Sequence, residues 1–127
     1  MKARETGSMV HAREKAVVLH AASTPAESVR EGLTRRIIRT GQLMTVALEF
    51  TGGPWPAADP YHSHPHEQTS YVAAGEIVFL AEGSEPQRLS AGDLFAVPSG
   101  VPHSIQLLSP SARLVDTFHP IREDFLK

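Results

Sequence analysis

The segment HSHPHEQ, residues 62–68, places His62, His64, His66, Glu67 and Gln68 within seven positions. Imidazole nitrogens and carboxylate or amide oxygens are the donors that hold Zn, Ni, Fe, Mn or Cu. A further histidine, His103, closes the run GDLFAVPSGVPH, residues 92–103. On an extended strand, residues two apart point to the same face, so His62 and His64 form half of a metal site. His66 and Gln68 share that parity, but Pro65 argues against one unbroken strand. It lacks a backbone donor and pushes His64 toward a strand end or turn. Parity alone therefore leaves His66, Glu67 and Gln68 open as the next ligand.

A second set of chemical residues lies in RLVDTFHPIREDF, residues 113–125. On a strand over 112–118, Asp116 and Phe118 share a face. If that face is inward, a carboxylate and an aromatic wall line a cavity. Arg122 follows on the terminal turn, where a guanidinium can clamp a carboxylate with two hydrogen bonds. Taken in isolation, Arg122, Glu123 and Asp124 read as a solvated charge run, and Asp116 as the partner of a surface base.

The elements that must position these residues are short and β-rich. LTRRIIR (33–39) and LMTVALEF (43–50) flank Thr40-Gly41-Gln42 and read as a hairpin. Strands are expected at 68–74, 76–81, 87–89, 93–98, 103–108 and 112–118, each bounded by Gly, Pro, Ser or Asp. That pattern predicts an antiparallel sandwich or barrel. TGGPWPAADP (51–60) is a loop, read as a lid or as a covering strip with dimer contacts. TPAESVREGL (24–33) has the Thr, Pro and Glu of a helix start and is expected to form a helical turn. PIREDFLK (120–127) is expected to be helical as well, and VHAREKAVVLH (10–20) to be an edge or exchanged strand.

Composition bounds the function. The chain has 127 residues, 41% apolar and 20% charged, with a formal net charge of −2. One globular domain over 10–127 is expected, after a flexible or foreign tail over 1–9. Cysteine is absent, which excludes a disulfide scaffold, a thiolate zinc site and a cysteine nucleophile. No basic run points to nucleic acid. No stretch approaches the roughly 20 apolar residues of a membrane helix, and the charged N-terminus is no signal peptide. The expected setting is the cytoplasm, with no membrane partner.

The two histidine segments resemble the paired motifs of the cupin superfamily. The first reads His62-Ser-His64, three residues, Gln68, six residues, Gly75; the second aligns Gly92, Pro98, Gly100 and His103. The sequence departs from the family pattern at Pro56, where a Gly is usual, at Leu107, where an Asn is usual, and at Gln68, where a Glu is usual. The resemblance implies an all-β cupin double-stranded β-helix, a jelly-roll barrel, with a short C-terminal helical turn. It implies one divalent transition metal per chain on His62, His64, Gln68 and His103, and a homodimer.

HSHPHEQ, the downstream PxGxPH and a D-x-F-x-P-x-R tail are similar to small cupins of the KdgF type. Those proteins convert 4,5-unsaturated uronates to linear keto forms at a metal site. Their further active-site positions fall on Asp116, Phe118 and Arg122, with Tyr71 or Trp55 as possible stacking surfaces; Ser70 differs from close relatives and should face the pocket. A glutamine ligand leaves the ion's charge uncompensated, which favours a small anionic substrate. Two other readings stand beside this one: a metallo-cupin dioxygenase or decarboxylase, and a non-catalytic cupin that binds a small molecule.

Overall fold

The structure, a computed structural model, describes residues 7–126. The fold is all-β, with ten strands among the described residues: β1 Met9–His11, β2 Glu27–Arg30, β3 Leu33–Arg39, β4 Met44–Phe50, β5 Glu67–Ala74, β6 Glu76–Ala81, β7 Gln87–Ser90, β8 Leu94–Val97, β9 His103–Leu107 and β10 Ala112–His119. They form two sheets, one in the order β1-β3-β4-β10-β5-β8 with β2 also on β3, the other β7-β6-β9. This is the two-sheet jelly-roll arrangement. All pairings are antiparallel except that of β1 with β3.

Period-two alternation decides what each strand buries. On β10, Ala112, Leu114, Asp116 and Phe118 are buried, and the residues between them face outward. On β5 the buried set is Gln68, Ser70 and Val72. Register sets Asp116 opposite Ser70 and Phe118 opposite Gln68. Two apolar clusters flank these polar groups. One joins the sheets through Phe50, Val72, Ile77, Leu107 and Leu114. The other holds Met9, Ile37, Met44, Val46 and Phe118. Each fully buried aliphatic or aromatic chain contributes about 1.5–3 kcal/mol, which supports a polar strip between the clusters. Leu107, at the position where an Asn was usual, is fully buried in the first cluster.

The crossing from β5 to β6 depends on Gly75. Its φ is +84°, and an added Cβ would strike the Ser111 carbonyl and come within 2.8 Å of Ala112. Left-handed backbone alone costs a residue with a Cβ about 1–2 kcal/mol, and the clash adds to it. Gly75→Ala is expected to lower stability by at least about 2 kcal/mol, read as a lower urea midpoint.

Three expectations from the sequence do not hold. Residues 24–33 are not helical: β2 pairs with β3, and Glu31-Gly32 makes a two-residue hairpin turn with Gly32 at φ +79°. The Glu27 carboxylate accepts from Arg35 Nε across that pair at 2.9 Å. The backbone partners and cross-strand ion pair on β3 outweigh a weak local helix start. The tail expected over 1–9 does not include Ser8 and Met9, which are buried, with Met9 paired to Ile37; residues 1–6 lie outside the described residues. Of 10–20, only Val10 and His11 are strand, at the sheet edge. The short C-terminal helical turn is present, as a 3-10 turn over Glu123–Leu126, and Lys127 lies outside the described residues. No helix among the described residues is long and apolar enough to cross a membrane.

Candidate metal centre

The histidines converge because a loop lies along β9. In the 51–60 segment, the backbone N–H groups of Trp55 and Asp59 donate to the carbonyls of Leu107 and Ile105. His62 then exchanges two backbone hydrogen bonds with His103, at 2.9 and 3.0 Å. The loop is a covering strip rather than a lid, and Trp55 packs edge-on against Phe50. The ring centroids of His62 and His103 lie 4.3 Å apart, those of His64 and His103 5.0 Å. One nitrogen from each of His62, His64 and His103 lies within 4.8 Å of the others, so the three can hold a metal ion together. His64 and His103 are buried, whereas His62 stands at the open rim.

The hydrogen bonds fix what these rings present. Carbonyl oxygens only accept, so His64 Nδ1–H donates to the His66 carbonyl at 3.0 Å, and His103 Nδ1–H to the Val101 carbonyl at 2.8 Å. In a neutral imidazole the other nitrogen is then a bare lone pair. His103 Nε2 is buried and has no partner. His64 Nε2 faces Gln68 Oε1 at 3.0 Å, one acceptor against another. Protonating His64 would relieve its opposition to Gln68, but the environment opposes it. Desolvation, reinforced by Arg122, lowers the His64 pKa. Desolvation, with His103, His64 and Arg122, pushes His62 down to about 4 against the pull of Asp59. Buried lone pairs converging on an amide oxygen suit a cation.

Around the cluster is a cavity of about 210 Å³. Asp116, Phe118 and Arg122 line it together with His62, Gln68 and His103. Asp116 accepts a hydrogen bond of 2.6 Å from Ser70 Oγ, and Ser70 Oγ accepts one of 3.0 Å from Gln68 Nε2. Burial pushes the Asp116 carboxyl up to about 6, although Ser70 and Arg122 pull it down. Arg122 lies over the rings of Phe118 and Phe125, at 5.2 and 4.2 Å. Its Nε and Nη2 donate to the two carboxylate oxygens of Asp124, at 3.3 and 2.7 Å. The fork that can clamp a carboxylate is thus already occupied by one.

The structure brings the histidines, Gln68, Asp116, Phe118 and Arg122 together, and leaves Tyr71 and Trp55 outside. Among the three left open by parity, Gln68 points inward, Glu67 is exposed, and His66 contributes its carbonyl to His64. Tyr71 faces outward on β5 and is 42% exposed, so it offers no stacking surface here. Trp55 does not line the cavity. Sequence reasoning missed Arg30, Arg35 and Phe125, which also line it. The first two arrive through the β2–β3 hairpin, hidden by the helix-like start at Thr24. Arg35 lies 4.5 Å over the Phe125 ring and donates to the Phe125 carbonyl, a contact across 90 residues that no local pattern announces.

Comparisons with known proteins agree with this geometry. A family model described as "Cupin domain" matches residues 54–118. A curated relative, the pectin degradation protein KdgF of Dickeya dadantii, is 37% identical over 105 residues, 81% of this chain and 92% of that protein. The solved structure of KdgF from Halomonas superposes with a TM-score of 0.75 at 34% identity, covering 84% of this chain and 97% of that one. An RmlC-like cupin from Shewanella frigidimarina gives a TM-score of 0.74 at 36% identity, over 84% of this chain and 92% of that one. With its paired histidine motifs and jelly-roll sheets, the chain belongs to the cupin superfamily and is similar to its KdgF members.

Proposed function

We propose that this cupin is a metal-dependent isomerase that opens a 4,5-unsaturated uronate to its linear keto form. The observation that carries this reading is a cavity of about 210 Å³ where His62, His103, the buried Asp116 carboxylate and the Arg122 guanidinium meet, with His64 beside it in the same histidine cluster. The likeness to a pectin degradation protein supports the substrate class. His62, His64, His103 and the Gln68 oxygen would hold the ion. A divalent transition metal supplies there an electrophile whose charge these neutral donors leave uncompensated.

The remaining work falls to the chain. Arg122 takes the substrate carboxylate in place of Asp124 and orients the ring against Phe118. Asp116 removes the proton of the anomeric hydroxyl. The bond from the anomeric carbon to the ring oxygen breaks, giving an aldehyde and an enolate. Asp116 then delivers its proton to the alkene CH, and the ketone forms. Atoms balance, because the proton taken is the proton returned.

The test is loss of the ultraviolet absorbance of an unsaturated uronate on addition of metal-loaded protein. Absence of turnover across unsaturated uronates would sink the reading. Arg122→Ala is expected to raise KM about 10- to 100-fold, since a hydrogen bond to a charged group contributes about 1.5–3 kcal/mol. Arg122→Lys should recover only part, because an ammonium cannot reproduce the fork.

A further inference from the structure

We propose that Ser70 is the positioning residue that makes Gln68 a metal ligand, by fixing its amide with the oxygen turned toward His64. This rests on the reading of the histidines as metal ligands. It goes further by asking why a glutamine amide, whose two ends are nearly the same size, presents oxygen.

Left to itself, the amide would turn the other way. His64 Nε2 is a lone pair, because its Nδ1–H is committed to the His66 carbonyl. A reversed amide would offer that lone pair an N–H donor in place of an opposing oxygen. The metal-free pocket would then satisfy itself and close the position a metal needs.

Ser70 prevents this by hydrogen-bond arithmetic. A serine hydroxyl has one proton and two lone pairs. The proton lies on the 2.6 Å contact to Asp116 Oδ1, in the range of a charge-assisted O–H···O bond. Only lone pairs remain for residue 68, so Ser70 Oγ must accept, and it does, from Gln68 Nε2 at 3.0 Å. Reversing the amide would set Oε1 against an oxygen with no proton to give. Ser70 is 2% exposed, Gln68 7% and Asp116 8%, a degree of burial at which an unmatched acceptor is costly. Cross-strand register holds the chain in line, with Asp116 opposite Ser70. The orientation of the ligand is thus set from β10, through a hydroxyl, before any ion arrives.

The experiment titrates zinc alone into the chelator-stripped full chain, in competition with a chromophoric chelator. Four proteins form a double-mutant cycle: the unsubstituted chain, Ser70→Ala, Gln68→Ala and the double variant. Groups that orient metal ligands typically affect affinity 10- to 100-fold, so Ser70→Ala should weaken zinc binding by about tenfold or more. In the Gln68→Ala background the same substitution should change nothing. Ser70→Thr, which keeps the oxygen, should restore most of the affinity. The proposal is overturned if Ser70→Ala binds zinc like the unsubstituted chain, or if its effect persists without Gln68. If Ser70→Ala does not fold by circular dichroism, Ser70→Cys takes its place, being similar in size and a poor acceptor. An unsubstituted chain that binds no zinc would instead overturn the metal reading itself.

Discussion

His103→Ala is expected to empty the metal centre and abolish turnover while leaving the fold in place. His103 is 3% exposed, and its Nε2 is a buried nitrogen with no hydrogen-bond partner among the described residues. Its backbone, by contrast, carries the two bonds to His62 and the pairing with Ala81 on β6. Alanine keeps that backbone and removes only the ring. What remains is His64 and the Gln68 oxygen in the interior with His62 at the rim, a weaker set with one buried imidazole fewer. A structural zinc site binds with about 10–16 kcal/mol over four ligands, so one ligand is worth about 3 kcal/mol, more than a hundredfold in affinity. Metal analysis of the purified variant should find well under one ion per chain, and zinc titration should show the weakened constant. The Val101 carbonyl loses its donor, a cost of about 1 kcal/mol, so circular dichroism should remain native. A variant that retains stoichiometric metal would remove His103 from the site.

How far the sequence alone carries this picture depends on the range of the interaction involved. The hairpin at 33–50 and the later strands were legible because alternation and Gly or Pro punctuation are local. That Asp116 and Phe118 share a face followed from parity; that this face is the inward one comes from the packing of the two sheets. Gln68 was different: parity left it level with His66 and Glu67, and the family resemblance was needed to prefer it. The structure supplies the reason, since β5 begins at Glu67 and its register with β10 turns position 68 inward. The β2 strand was misread because Thr24, Pro25 and Glu27 are a local helix signal, whereas the pairing that overrides it comes from β3. The meeting of Phe125 with Arg35 was invisible, because nothing near Phe125 in the chain specifies it. Chemistry borne on single strands could be read from local pattern; chemistry assembled between distant strands needed the family resemblance, as for His103, or was not seen, as for Arg35.

Asp116→Asn is expected to separate function from stability. As the proton carrier, Asp116 should account for about 10²–10⁴-fold in kcat, and an amide cannot take its place. The same substitution should make the metal-free protein more stable at alkaline pH. The carboxyl is raised from 3.8 to about 6 by burial. The folded state therefore keeps a proton between these values that the unfolded chain has released. Stability from this group is present below about 4, falls as pH rises toward 6, and stays low above it. A shift of this size corresponds to about 3 kcal/mol at pH 7 to 8. Asparagine carries no such penalty and still offers Ser70 an acceptor. With chelator present, the Tm of Asp116→Asn should match the unsubstituted protein near pH 4 and exceed it at pH 8. A difference that does not change with pH would show that Asp116 is not held against its own ionisation. A base kept poorly solvated and costly to ionise is one whose proton affinity is raised toward that of the substrate it must serve. In this site the lost stability and the proposed proton transfer have the same physical origin.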